Sequence, residues 1–249
     1  FIVDKSGVYD VILGIDGYEE NINDKFEVII ESQAKEAIEK IKEDGLTEDE
    51  LDEILIQYKN ELGLTSENFD DVADSLAQIV FNSKGSLTSD TQSNVKFMKK
   101  ALKAAEFNSE KISFIVGIED LIGIKGSDFE KWNKESFDAD IVARLSGKKF
   151  KSVSEFDKAV KEAVLLERIE NPNGNADIVN IIAENYQDMG LDSGTVSLNV
   201  AGKIAGGEYE TYQELENKIA KIKSSDSGSS GGGGSDKGNS FGGGSSGVI

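Results

Sequence analysis

The chain has 249 residues, a formal net charge of −20, and neither cysteine nor histidine. This composition excludes disulfides, thiolate nucleophiles, zinc sites with the usual ligands and histidine-based triads. So acidic a surface repels phosphate backbones and anionic lipid, so we expect no nucleic-acid partner. No apolar run reaches the length of a membrane span, and we expect no membrane insertion. The apolar content, 38%, is sufficient for a folded core.

The N-terminal residues 1–17 are interpreted as the end of a preceding repeat, so we expect the sequence to be an excerpt from a longer chain. A small two-stranded element near residues 1–15 or 112–118 is an alternative that the pattern leaves open. Residues 18–81 are predicted to form helical repeat 1. Its first apolar stripe follows an aromatic residue at roughly helical spacing and consists of Tyr18, Phe26, Ile30, Ala34 and Ile38.

The second stripe of repeat 1 is more regular. Thr47 and Glu50 have the spacing of a capping box, which predicts a helix start. Gly63 follows the stripe at a position where a helix commonly ends with positive φ, so it predicts the helix end. The apolar residues between these two signals are Leu51, Ile54, Leu55, Tyr58 and Leu62.

Residues 82–149 are predicted to form a divergent repeat 2. Gly123 and Gly190 repeat the aliphatic-Gly-aliphatic signature of Gly63 at spacings of 60 and 67 residues. Such regularity is typical of duplicated units. The apolar run at residues 112–116 fits either a strand or a buried helix. Asp138 and Asp140, like Asp70 and Asp71, are interpreted as acids at helix starts, where the helix dipole favours them.

Residues 150–223 are predicted to form repeat 3 and the start of the next repeat. Phe150 is followed by a capping box of Ser152 and Glu155, and Tyr209, 59 residues later, precedes an equivalent box. Each box opens an amphipathic helix. Residues 224–249 contain 19 Gly or Ser among 26 and are predicted to be a flexible, disordered linker. The expected fold class is therefore mainly α, with about three degenerate helical repeats packed as an array or bundle.

The pattern from Phe150 to Asp192 resembles the helical repeats, about 60 residues long, of clostridial-type cell-surface proteins. It includes Phe150-x-Ser152-x-x-Glu155-Phe156 and Tyr186-x-x-Met189-Gly190-Leu191-Asp192. In those proteins a Gly/Ser linker follows the repeats and leads to S-layer homology domains that hold wall polysaccharide. The run Ser229-Ser230-Gly231-Gly232-Gly233-Gly234-Ser235 is similar to that linker.

The resemblance implies a non-enzymatic spacer or stalk of a secreted, S-layer-associated protein on the surface of a Gram-positive bacterium. Its implied partners are S-layer homology domains in the parent chain and, through them, wall polysaccharide. It implies no cofactor and no catalytic residue, and leaves the oligomeric state open. The alternative is an extracellular module that binds a glycan or a protein in a groove between helices.

One loop alternates oxygen-bearing side chains in the manner of a calcium site: Asn171, Asn173, Asn175 and Asp177. The match is incomplete, because Ile182 stands where a bidentate Glu is expected. Asn also favours turns for local reasons, and Asp177 could cap the following helix. We therefore assign no metal site and keep this loop as an alternative.

Acidic pairs such as Asp49–Glu53 and Glu119–Asp120 are expected by chance in a chain with 47 acids, so we predict no glycosidase pair. Tyr18, Phe150 and Tyr209 could stack on sugars, but their recurrence just before a helix start indicates packing. Trp132 lies three residues after Phe129, and this spacing favours a core position.

Overall fold

A computed structural model describes residues 5–13, 22–111 and 134–227 and shows a mainly helical protein. The chain divides into two compact units, Phe1–Arg168 and Ile169–Ile249. Nine α-helices lie within the described residues: α1 Glu31–Ile41, α2 Glu48–Gln57, α3 Phe69–Ser83, α4 Thr91–Asn108, α5 Lys134–Leu145, α6 Val153–Glu170, α7 Asn175–Asn185, α8 Leu198–Ile204 and α9 Tyr212–Ser227. A short 3₁₀ helix, Lys84–Ser86, follows α3.

The first unit begins with an antiparallel pair of strands, β1 Gly7–Leu13 and β2 Ile22–Val28. The register places Tyr9 opposite Phe26. The predicted helical stripe from Tyr18 to Ile38 is therefore wrong at Phe26, which lies in β2. Ile30 is the residue just before α1, and only Ala34 and Ile38 are helical and buried. Cross-strand pairing of β2 with the Val- and Ile-rich β1 outweighs the helical spacing here.

The core of the first unit is formed by α1 to α4 with α5 and α6. Helix α3 packs against both α2 and α4, and α1 packs against α2 and α4. Leu51 and Leu55 of α2 are fully buried, and the capping box predicted at Thr47 and Glu50 is present in both directions. Burying these stripes against one another is what stabilises helices of ten to eighteen residues, which would be marginal alone.

The second unit contains α7, α8 and α9, with α8 packed against both of its neighbours. Its buried side chains come from all three helices and the loops between them: Ile178, Ile181, Ile182, Met189, Val196, Val200, Ala201, Ile204, Tyr209, Leu215, Ile219 and Ile222. Aliphatic residues thus recur at helical spacing along α7 and α9, as the sequence predicts.

The glycine stops of both units have the predicted geometry. Gly63 and Gly190 have φ of 66° and 70°. In the first unit Leu64 donates its backbone N–H to Lys59 O at 2.7 Å, and in the second Leu191 donates to Tyr186 O at 2.9 Å. With the inner bonds from Gly63 to Asn60 and from Gly190 to Gln187, these are Schellman motifs. The third copy, at Gly123, lies outside the described residues.

Two helix-start predictions have different outcomes. Asp70 and Asp71 lie in the first turn of α3, as expected. Asp138 and Asp140 lie well inside α5, which begins at Lys134, so their assignment to a helix start is wrong. The sequence shows no capping signal that separates a start at 134 from one at 138.

The predicted start of the linker at Ser224 is also early, because α9 continues to Ser227. The hydroxyls of Ser224 and Ser225 donate to Lys221 O and Ile222 O at 2.9 and 2.8 Å, which satisfies carbonyls of the last turns. Residues 228–249, with the rest of the predicted linker, lie outside the described residues.

The repeat boundaries remain a prediction, because the two compact units follow contacts and not sequence period. The boundary between the units falls inside α6, within predicted repeat 3. The predicted boundary after residue 81 falls inside α3, two residues before its end.

Candidate functional site

The loop considered for calcium contains a local hydrogen bond at the start of α7. Asn175 is the first residue of this helix, and Asp177 lies in its first turn. The Asp177 carboxylate accepts the backbone N–H of Asn173 at 3.4 Å. The Asn175 amide lies against Gly202 of α8, where an added Cβ would be 2.8 Å from Nδ2. Asp177 thus has the helix-start role, and calcium binding stays an untested alternative.

Among the described residues, no group of three or more acidic side chains is arranged to hold a metal ion. The one carboxylate on α2 with a raised pKa is Asp52, which lies between the Asp49 and Glu53 named from the sequence. Burial is the main cause, and the charges of Asp74, Asp49 and Glu53 add to it. Asp52 lines neither of the two clefts described below. The pair Glu119–Asp120 lies outside the described residues.

The Phe150 junction, defined here as residues 147–156, joins α5 to α6. Its backbone is held by a side-chain amide at the end of α4: Phe150 N donates to Asn108 Oδ1, and Asn108 Nδ2 donates to Phe150 O, both at 2.7 Å. The ring packs edge-on against Phe107 and Phe156, with centroid distances of 6.2 and 5.3 Å. Phe150 is 5% exposed, so it is a packing residue as predicted.

The capping box of this junction is also present. Glu155 N donates to Ser152 Oγ at 3.2 Å, and Lys151 N donates to Glu155 Oε2 at 2.8 Å. Two polar side chains of the α3 end add further bonds: Asn82 Nδ2 donates to Lys151 O, and Ser83 Oγ accepts the Val153 N–H, each at 3.1 Å. The junction is thus held by hydrogen bonds from both α3 and α4.

The Tyr209 junction, residues 206–215, repeats this arrangement between α8 and α9. The Tyr209 N–H donates to Glu170 Oε1 at 2.7 Å, and Glu170 is the last residue of α6, as Asn108 is of α4. Glu214 N donates to Thr211 Oγ1 at 3.3 Å, and Glu210 N donates to Glu214 Oε2 at 2.8 Å. The phenol donates to Ile204 O at 2.9 Å.

Tyr209 is 6% exposed, and its recurrence therefore reflects packing. A buried ring cannot stack on a sugar, so neither described aromatic supports a glycan site. Tyr18 and Trp132 lie outside the described residues. Sequence reasoning missed Asn108 and Glu170, which lie 42 and 39 residues before their partners. No pattern connects an amide with a carboxylate at that separation.

Two buried acids belong to internal ion pairs. Glu106 is fully buried and accepts from Lys103 Nζ at 2.7 Å, while Glu167 accepts from Arg144 Nε at 3.3 Å. Buried acids can mark catalytic sites, but a buried ion pair that spans helices is also a common structural element. Neither acid lines a described cleft.

Two clefts are open on the described surface. The larger, which we call the α1–α4 cleft, has a volume of about 270 Å³. It is lined by two apolar side chains, two polar ones and three charged ones: Ile29, Val95, Thr91, Gln92, Glu31, Lys96 and Lys99. The smaller, about 100 Å³, lies in the second unit beside α9 and includes Asp192, Glu216 and Lys223.

None of the described helices is long and apolar enough to cross a membrane. In comparisons with protein families, curated proteins and solved structures, nothing matches this chain.

Proposed function

We propose that the chain is a non-enzymatic spacer or stalk in a secreted bacterial cell-surface protein, of the kind that carries S-layer homology domains. The observation that carries this proposal is the repeated junction. In both copies the aromatic side chain is buried, and the polar groups around it are bonded to the junction's own backbone. Such a unit joins one helix to the next and presents no reactive group.

The physical logic of repeats supports the same role. Each repeat buries its apolar face against its neighbours, so a chain of repeats gains length by adding units without designing a new core. An acidic surface of net charge −20 keeps such a chain apart from other copies and from anionic polymers. The resemblance of residues 150–192 to cell-surface repeats supplies the proposed location and partners.

The proposal is tested by duplicating one period. Residues 150–208, one 59-residue period, are inserted again after Glu208, so that a second Phe150 junction precedes Tyr209. A stackable spacer gives a folded monomer whose helix content rises in proportion and whose maximum dimension in solution scattering increases. A matched control duplicates residues 150–198, which breaks the 59-residue period, and should leave the added segment unfolded.

An aggregated or unfolded 59-residue duplication, or equal folding of both insertions, would argue against a stackable spacer. Binding is tested separately on a glycan array and by capture from culture surfaces. Saturable binding of a glycan or a surface protein by the unmodified chain would replace the spacer with the alternative, a binding module. The α1–α4 cleft is the observation that favours this alternative.

A further inference from the structure

Helix α4 differs in charge from the rest of this acidic chain. Residues 91–108 carry four Lys and one Glu. Lys100 is engaged by Asp157 at 2.9 Å, and Lys103 by Glu106 at 2.7 Å. The remaining two, Lys96 and Lys99, line the α1–α4 cleft. The helix therefore uses half of its cations inside the fold and places the other half at a cavity.

The spacing of the lining residues explains how one helix supplies most of the cleft. Gln92, Lys96 and Lys99 follow at i, i+4 and i+7, which is one face of α4, with Val95 beside them. Ile29 and Glu31 come from the segment that joins β2 to α1. Val95 is 8% exposed, so an apolar surface lies next to two ammonium groups.

We propose that the α1–α4 cleft binds a small monocarboxylate with an apolar body. Lys96 and Lys99 bind the carboxylate, while Ile29, Val95 and the methylene stems of the lysines contact the apolar part. Thr91 and Gln92 offer a hydroxyl and an amide for further hydrogen bonds. This binding goes beyond the spacer role and does not depend on it.

Two charges in the surroundings decide the class of ligand. Glu31 lines the same cleft, and Asp90 is close enough to Lys96 for that lysine to help lower the pKa of the Asp90 carboxyl, after its hydrogen bonds to Ser93. A polyanion would place its additional charges against these acids and against a surface of net charge −20. A single carboxylate avoids this repulsion. The volume, about 270 Å³, also suits a ligand smaller than a typical drug.

The experiment is a titration of the isotope-labelled full chain with hexanoate, followed by amide NMR shifts, with acetate and hexan-1-ol as comparison probes. We expect saturable shifts at residues 29–31 and 91–99 with a Kd of about 1 mM, and weaker binding at high salt. Acetate lacks the apolar body and hexan-1-ol lacks the charge, so each should bind at least about fivefold more weakly.

Variants of exposed residues test the charges without risk to the core. Lys96→Gln with Lys99→Gln should weaken hexanoate binding at least about fivefold, and Glu31→Gln should tighten it about twofold. Lys158→Gln, on the exposed side of α6, is the matched control and should change nothing. Absent or non-saturating shifts, equal affinity for hexan-1-ol, or equal losses from the control overturn the proposal.

Discussion

Phe150 and Tyr209 occupy the same place in two copies of one motif, yet different chemistry holds each of them. In the first unit a neutral amide, Asn108, both accepts from and donates to the Phe150 backbone, and the ring sits among other aromatics. In the second unit a carboxylate, Glu170, accepts one N–H, and the phenol adds a bond of its own. The position of the acceptor is kept while its identity changes.

The helices that follow the two junctions also diverge. Phe156 and Val160 of α6 correspond to Leu215 and Ile219 of α9 at the 59-residue period, and all four are buried. Further along, the buried Val164, Leu165 and Leu166 correspond to the exposed Lys223, Ser224 and Ser225. Helix α9 therefore keeps the start of the repeat and lacks the apolar half that would need a further neighbour. This polar outer surface is typical of a terminal, capping repeat.

The largest expected effect is on the aromatic cluster. Phe150→Ala should lower the free energy of unfolding by about 3–5 kcal/mol, because it leaves a cavity between Phe107 and Phe156. Urea denaturation followed by circular dichroism measures the change. Phe150→Leu refills most of the space and should cost clearly less. A loss below about 1 kcal/mol for the alanine variant would show that the junction is not packed as described.

The next effect separates the two acceptors. Asn108→Ala should cost about 1–3 kcal/mol, because it leaves the N–H and the carbonyl of Phe150 without their side-chain partner. Glu170→Gln keeps an acceptor for the Tyr209 N–H and should cost less than about 1 kcal/mol. Asn82→Ala, which removes one exposed bond, is the control for a general helix effect. Equal losses in all three variants would contradict the assigned roles.

A smaller effect is expected at the glycine stop of the second unit. Gly190→Ala should cost about 1–2 kcal/mol from the positive φ alone, since an added Cβ meets no atom within 4 Å. Gly85→Ala is the matched control, because that glycine has equally open surroundings without a left-handed φ. Thermal melting of both variants measures the difference, and a neutral Gly190→Ala would mean that the helix end can shift.

The smallest effect depends on pH. Burial, followed by the nearby charge of Glu170, raises the pKa of the Tyr209 phenol above its usual 10.0. A raised phenol pKa favours the protonated native state, so its contribution is complete below about pH 10 and is lost as the pH rises through the folded pKa. Tyr209→Phe should cost about 1 kcal/mol at pH 8, through the lost bond to Ile204 O.

Because only the unsubstituted chain can ionise at this position, the difference between the two proteins should shrink above pH 10. Urea denaturation at pH 8 and pH 10.5 gives the comparison. A difference that stays constant over this range would place the phenol in contact with solvent.

The sequence was most informative where a local signal has one physical meaning. The helix ends at Gly63 and Gly190 and the capping box at Thr47 are local backbone chemistry, and the fold contains each of them. The mainly helical class followed from apolar periodicity. Sequence reasoning failed at Phe26, because its helical spacing competed with strand pairing to Tyr9, which no local window contains.

The candidate cleft was outside the reach of sequence reasoning for the same physical reason. Lys96 and Lys99 are ordinary surface lysines in the sequence, and only the approach of Ile29 and Glu31 makes them part of a cavity. The sequence alone determined where helices begin and end and which faces are apolar, because those depend on residues three or four positions apart. Tertiary structure decided which acceptors hold the aromatic junctions and which charges meet at a cleft, because those contacts join residues some 40 to 70 positions apart.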